Sequence, residues 1–424
     1  MSHFRARVEP CAVGSGAKSD IGVVTPPAEE TEHGFFRRPM NGVQASVARV
    51  EHSLPGLLLL LALVAVLNGG CTQSRHRSSS SSPTAFSRYD QAPVPLRSEV
   101  VYSGSDLGVP AGLAVVGTLL VISDPYASPH IHVIDLSTGR VVRSFGDTGE
   151  GPDEYKLPIS VLADEATDRI WIGDRALGRL TQISLDGIRT KVWKPSVRVI
   201  QLRGTAYFDV VLSLDPKGAL RFLAGDVTGG SQFIELDSTG RIMQRLGPPA
   251  PNAASMPGAL SGRLFAHVVA RRPDGSILAT GGVNAGDLEY YDRRGGLVDS
   301  VATPIHFSPS WKPGGTLEHP GLVATEDSRH GYLDLAATRS RLVALFSGRY
   351  LRKHPTDAFA GRDLQVYDWH GHLLSVYRAD KALTSIAVDT ITGLIYGTHW
   401  GLEPSVVRLR LPDPGLARPT GHGP

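Results

Sequence analysis

Side chains able to bind or react recur at one kind of place in this chain, directly after a short apolar run. Asp124-Pro125-Tyr126 follows LLVIS, Asp174-Arg175 follows IWIG, Asp226 follows LRFLAG and Asn284 follows ILATGGV. Arg349-Tyr350, with Lys353 and His354, follows LVALFSG, and Thr398-His399-Trp400 follows LIYG. Aromatic surface beside guanidinium suits stacking on, and hydrogen bonding to, an anionic or peptide-like ligand. Asp after a strand is also a common turn former, and for Asp124, Asp174 and Asp226 that plainer role is preferred. Trp400 and His399 break the turn-like trend of their counterparts. The candidate ligand-binding set is Tyr126, Asp174, Arg175, Arg349, Tyr350, His399 and Trp400.

Familiar reactive motifs are missing: there is no Gly-x-Ser-x-Gly elbow, no His-Glu-x-x-His pair and no phosphate-cradling loop. His130 and His132 alternate along one strand without an evident third ligand, which argues for packing rather than a metal. His370 and His372 flank Gly371 in a hairpin turn with no scaffold to fix metal geometry. No catalytic residue is assigned, and neither a metal nor a cofactor is expected. The two cysteines, Cys11 and Cys71, both precede the folded region, so it can hold no disulfide and no thiolate metal site. With 43 Lys plus Arg against 41 Asp plus Glu, the chain lacks the basic stripe that nucleic-acid binding demands.

Residues 1–53 mix Gly, Pro, Ser and charge without apolar periodicity and read as a disordered leader. The block from Leu54 to Leu67 is shorter than the roughly 20 residues of a membrane-spanning helix but fits the apolar core of a secretory signal. Because a signal has a short basic start, translation from Met40 is the expectation. Leu67-Asn68-Gly69-Gly70-Cys71 resembles the lipobox of bacterial lipoproteins, with Asn68 where an aliphatic residue is usual. That resemblance implies that Cys71 is the lipidated first residue of the mature chain, and Thr72 after it implies an outer-membrane destination. Residues 72–95, with their Ser run, read as a tether, and residues 413–424 as a disordered tail.

The elements that must position the candidate set repeat. Their third strand and its turn recur as VIDLSTG to Gly139, ISLDG to Gly187, IELDSTG to Gly240, YYDRRG to Gly295, VYDWHG to Gly371, and VVRLRLPD near the C-terminus. A period of about 50 residues matches four-stranded propeller blades. One longer interval carries an insertion from Pro304 to Tyr332. The sixth copy is one strand short, and Ser98 to Tyr102 can supply it, closing the ring and leaving no open edge. The expectation is an all-β, six-bladed propeller over residues 96–412, closed by an N-terminal strand. Since strands alternate direction, the loops after each second strand and the connectors between blades emerge on one face, which gathers the candidate set there.

The connector GEGPDEYKLP, set between VVRSFG and the strand ISVLADE, resembles the Gly-x-Gly-Pro-Gly-Glu-Phe connector of six-bladed propellers in the NHL and TolB-like superfamily, with Asp153 and Tyr155 at departing positions. Glu154 and Tyr155 are expected to lock adjacent blades. Many propellers of that superfamily are exported lipoproteins, but their functions are diverse; together with the leader and the candidate set, the expectation is an exported, lipid-anchored monomer in the cell envelope, periplasmic or outer-membrane side, binding an envelope protein, a peptide or a small anionic ligand, or else serving a purely structural role in an envelope complex. The resemblance also implies an alternative, a lactonase-, arylesterase- or lyase-type enzyme with a metal at the channel mouth. With Asn252 and Asn284 as its only asparagines, the domain cannot build an Asn-rich calcium cage.

Overall fold

The computed structural model describes residues 92–165, 167–190, 198–202, 207–214, 219–226, 228–250, 258–301, 303–316 and 320–412. The leader, Cys71, most of the tether, Asn252 and the tail from 413 lie outside them.

Six antiparallel sheets form the blades. Blade 1 is built from Gly112–Val116, Leu119–Ser123, Ile131–Asp135 and Arg140–Phe145, and blade 2 from Pro158–Asp164, Arg169–Asp174, Arg179–Ser184 and Arg198–Gln201. Blade 3 is Tyr207–Leu214, Leu220–Asp226, Phe233–Asp237 and Ile242–Leu246; blade 4 is His267–Arg271, Ile277–Gly282, Leu288–Asp292 and Leu297–Val301. Blade 5 comprises Tyr332–Ala337, Arg341–Phe346, Gly361–Asp368 and Leu373–Leu383. Blade 6 takes three strands from the C-terminal end, Ser385–Val388, Leu394–His399 and Ser405–Arg410. Its fourth comes from the beginning of the domain: β2 (Glu99–Ser103) pairs antiparallel with Ser405–Arg410, setting Glu99 opposite Arg408. The first strands of neighbouring blades touch one another all the way round, so they line the axis.

The apolar runs are continuous because both faces of each blade are covered. Leu119–Ser123 is buried at every position, and a separate hydrophobic cluster fills each of the six seams between neighbouring blades. Aromatic rings meet across three seams: Trp171 on Phe222 at 5.1 Å and Phe233 on Tyr291 at 5.2 Å, both edge to face, and Tyr290 tilted on Trp369 at 5.7 Å. The hairpin after the third strand repeats one device. Asp135, Asp237, Asp292 and Asp368 each accept an N–H two residues ahead, and the turn ends on Gly139, Gly240, Gly295 and Gly371, all at positive φ.

Two features differ from the sequence reading. The segment taken as the end of the tether contains β1 (Val94–Leu96), which joins blade 5 as a fifth strand, parallel to Leu373–Leu383. Ser98 then fastens the crossing from blade 5 to blade 6, its N–H and hydroxyl donating to Asp380 at 3.0 and 2.6 Å. The insertion before blade 5 also has structure of its own, a hairpin of Trp311–Gly315 with Pro320–Ala324.

Candidate ligand-binding site

The aspartates that end the second strands hold the loops. Asp124, fully buried, accepts the N–H groups of Gly108 (2.7 Å), Val109 (2.9 Å) and Tyr126 (3.1 Å). Asp174, equally buried, accepts those of Lys156 (2.7 Å), Leu157 (3.2 Å) and Leu177 (3.0 Å). Asp226 takes Thr228 N–H at 2.8 Å and the Ser231 hydroxyl at 2.7 Å, and pairs with Arg245. In blades 1 and 2 the carboxylate thus ties the incoming connector to its own blade, satisfying backbone donors that the loop would otherwise bury unpaired. Asp174 therefore serves the connector rather than an open surface.

The GEGPDEYKLP connector is held the same way. The buried Arg179 guanidinium donates to the carbonyls of Glu150 (2.8 Å), Gly151 (2.6 Å) and Glu154. Glu154 turns back to accept Gly151 N–H at 2.8 Å, and Tyr155 is fully buried in the seam between blades 1 and 2.

Along the axis lies a cavity of about 360 Å³, to which all six first strands contribute. Its walls are mostly apolar, among them Leu113, Val161, Val210, Val269, Leu335 and Ile386, and its polar groups are Arg175, Ser160, Asp209, Asp334, Thr384 and Ser385. Arg175 is the member of the candidate set found here. Asp209 and Asp334 lie at or next to β-bulges, where the register slips between Tyr207 and Val210 and between Tyr332 and Asp334. A bulge bends its strand and re-aims a side chain, here toward the next blade and the axis. Asp209 accepts Val269 N–H of blade 4 at 2.9 Å, and Asp334 accepts Ile386 N–H at 2.8 Å and the Ser385 hydroxyl at 2.5 Å from blade 6.

Both residues are half-buried and line the cavity. Desolvation pushes Asp209 up to about 7, with the negative charge of Asp334 adding to the rise, and pushes Asp334 up to about 6. Near neutral pH the cavity can therefore gain or lose a proton. Among the described residues no three His, Cys, Asp or Glu side chains gather as a metal-holding group.

The rest of the candidate set occupies the rim of the same face without entering the cavity. Tyr126 is exposed at 73 %, and Trp400 at 37 %. Arg349 pairs with Asp357 at 3.4 Å, and Tyr350 lies under Arg329 and Lys353. His399 donates from Nδ1 to the Ala382 carbonyl at 2.7 Å. Asn284 donates to the Arg263 and Leu264 carbonyls. His130 and His132 are buried: His130 contacts the Asp124 carbonyl and the Thr148 hydroxyl, while His132 contacts Ser144, with its pKa lowered mainly by burial. His372 sits on Asp368 at the outer hairpin.

Sequence comparison agrees with this geometry. The family described as TolB-like 6-blade propeller-like matches residues 94–390. The chain belongs to that family. Among solved structures, the Myceliophteria thermophila Cps50 (Swd1) β-propeller domain aligns at 14 % identity and a TM-score of 0.42, covering 74 % of this chain and 98 % of that one. In this TolB-like propeller, sequence reasoning passed over Asp209 and Asp334, since it looked only at loops after the second strands. The signal was present: a lone carboxylate inside each apolar first strand, FDVV and YLDL, is out of place unless it faces a channel.

Proposed function

We propose that this TolB-like propeller is a non-catalytic binding module that holds a small or peptide-like ligand at the mouth of its channel, and that it is exported and lipid-anchored through Cys71 in the cell envelope. The observation that carries the reading is the axial cavity, whose volume falls within the roughly 300–1,000 Å³ of small-molecule pockets and whose apolar walls carry a few convergent polar groups. An anion alone would meet Asp209 and Asp334. A ligand with charges of both signs, such as a free amino acid or a short peptide, is matched by the Arg175 guanidinium and the two carboxyls that line the same cavity. The anchor reading rests on the apolar leader and the lipobox-like run ending at Cys71.

Thermal unfolding against a panel of amino acids and short peptides tests the pocket. A ligand at 100 times its Kd stabilises by about 2.7 kcal/mol. Protection by zwitterionic compounds, lost in Arg175→Glu, supports the reading; a panel without effect on the wild type counts against it.

A second reading is favoured by one observation, the two carboxyls of raised pKa facing a single cavity, which suits general acid–base chemistry. On that reading the protein is a lactonase-, arylesterase- or lyase-type enzyme. Turnover of lactone or aryl ester substrates, abolished by Asp209→Asn, would establish it.

A further inference from the structure

The rim of blade 5 carries two cations on one aromatic ring. Arg329 lies over Tyr350 with its guanidinium carbon 4.0 Å from the ring centroid, and the Lys353 ammonium lies 4.5 Å from the same centroid. Their places are set by backbone. Arg329 and Tyr350 face each other in an isolated antiparallel bridge, flanked by His330 N–H to the Arg349 carbonyl (3.0 Å) and Leu351 N–H to the Ser328 carbonyl (2.9 Å). Arg329 also donates to the Tyr350 hydroxyl and reaches over Phe307 at 5.4 Å.

Two acids of this region are paired with other arginines. Asp357 pairs with Arg349 at 3.4 Å and Glu326 with Arg352 at 2.5 Å, and Asp327 makes no ion pair with either cation. Among the described residues, neither Arg329 nor Lys353 has a carboxylate within 4.0 Å. Two like charges sharing one ring repel, and a half-buried guanidinium has five N–H donors, of which the Tyr350 hydroxyl takes one.

We infer that Arg329 and Lys353, carried on Tyr350, form an oxyanion site on the blade 5 rim, distinct from the axial cavity, that takes a carboxylate or phosphate group. An oxyanion there relieves the repulsion between the two cations and offers acceptors to the remaining guanidinium donors and to the ammonium, the arrangement in which charge-assisted hydrogen bonds are strongest. The ring pre-orients both heads, which lowers the side-chain entropy lost on binding.

Titration by NMR, following the Arg329 Nε–H and the Tyr350 amide, tests the site with inorganic phosphate, acetate and, at matched ionic strength, chloride. Saturable shifts with phosphate, acetate or both, at a Kd on the order of 1–10 mM, are expected. A response to one anion alone assigns the site to that group. Lys353→Gln, a change at an exposed side chain, should weaken binding at least about threefold, while Arg175→Glu in the channel leaves it unchanged, so this site and the axial pocket fail independently. Equal shifts with chloride, no shift with either oxyanion, or an unchanged Kd in Lys353→Gln would overturn the inference.

Discussion

Replacing Asp209 with Asn keeps the shape of the side chain and removes its charge. In the native ring the Asp209 carboxyl is pushed up to about 7, because the ring strips water from the carboxylate and Asp334 repels it. The folded protein therefore holds a proton that the unfolded chain releases between about pH 4 and 7, and over that window stability falls as pH rises. Above it both states are ionised and the native carboxylate bears the whole penalty. The rise from the ordinary carboxylate range sets an upper limit of about 4 kcal/mol, and solvent in the channel reduces it to about 1–3 kcal/mol. Asn can accept only one of the two N–H groups, from Val210 and Val269, that the carboxylate accepts, which costs about 1 kcal/mol at any pH. The difference between two pH values removes that cost. Urea unfolding of wild type and Asp209→Asn at pH 4.5 and pH 8 should show the variant gaining about 1–3 kcal/mol relative to wild type on going to the higher pH. An equal effect at both pH values would refute the claim that this carboxyl is desolvated in the ring.

Other substitutions probe the architecture. A chain beginning after Gly104 loses β2 and should aggregate or melt well below one beginning at residue 92, by calorimetry, because the edge of blade 6 is left open. Gly146→Ala should destabilise by at least about 1–2 kcal/mol in urea unfolding, since Gly146 has φ +90° and an added Cβ would come 2.7 Å from the Tyr155 ring. Arg179→Gln should cost about 3 kcal/mol by the same assay, through loss of charged donors to the connector carbonyls. Palmitate labelling of the wild type, absent in Cys71→Ser, is expected of the anchor; equal labelling of the two would reject it.

The blades were legible because local chemistry repeats. In blades 1, 3, 4 and 5 the hairpin after the third strand announces itself by an Asp and a Gly that a tight turn explains, whereas Asp186-Gly187 of blade 2 lie in a short helix, Leu185–Arg189; runs such as LLVIS, apolar at successive positions, fit strands buried on both faces. The short sixth copy pointed to a strand from the other end of the domain. β1 was not legible: three residues, Val94-Pro95-Leu96, add in parallel to an edge nearly 300 positions away, and nothing local specifies that. The gathering of the candidate set on one face follows from strand direction alone, but depth does not. Arg175 enters the axial cavity while Tyr126 and Trp400 remain on the rim, a difference set by loop conformation. The bulges beside Asp209 and Asp334 are similarly invisible in a pattern of alternating residues, although the carboxylates themselves stood out within apolar strands.

The claim that the channel mouth is a ligand site is tested most directly by native mass spectrometry of the protein purified from the cells that make it, wild type beside Arg175→Glu. The account expects the wild type to carry a small bound species that gentle activation releases, and the folded Arg175→Glu protein to lack it. Wild-type protein with no bound species even when supplied with envelope extract, or the same species retained in Arg175→Glu, would contradict it.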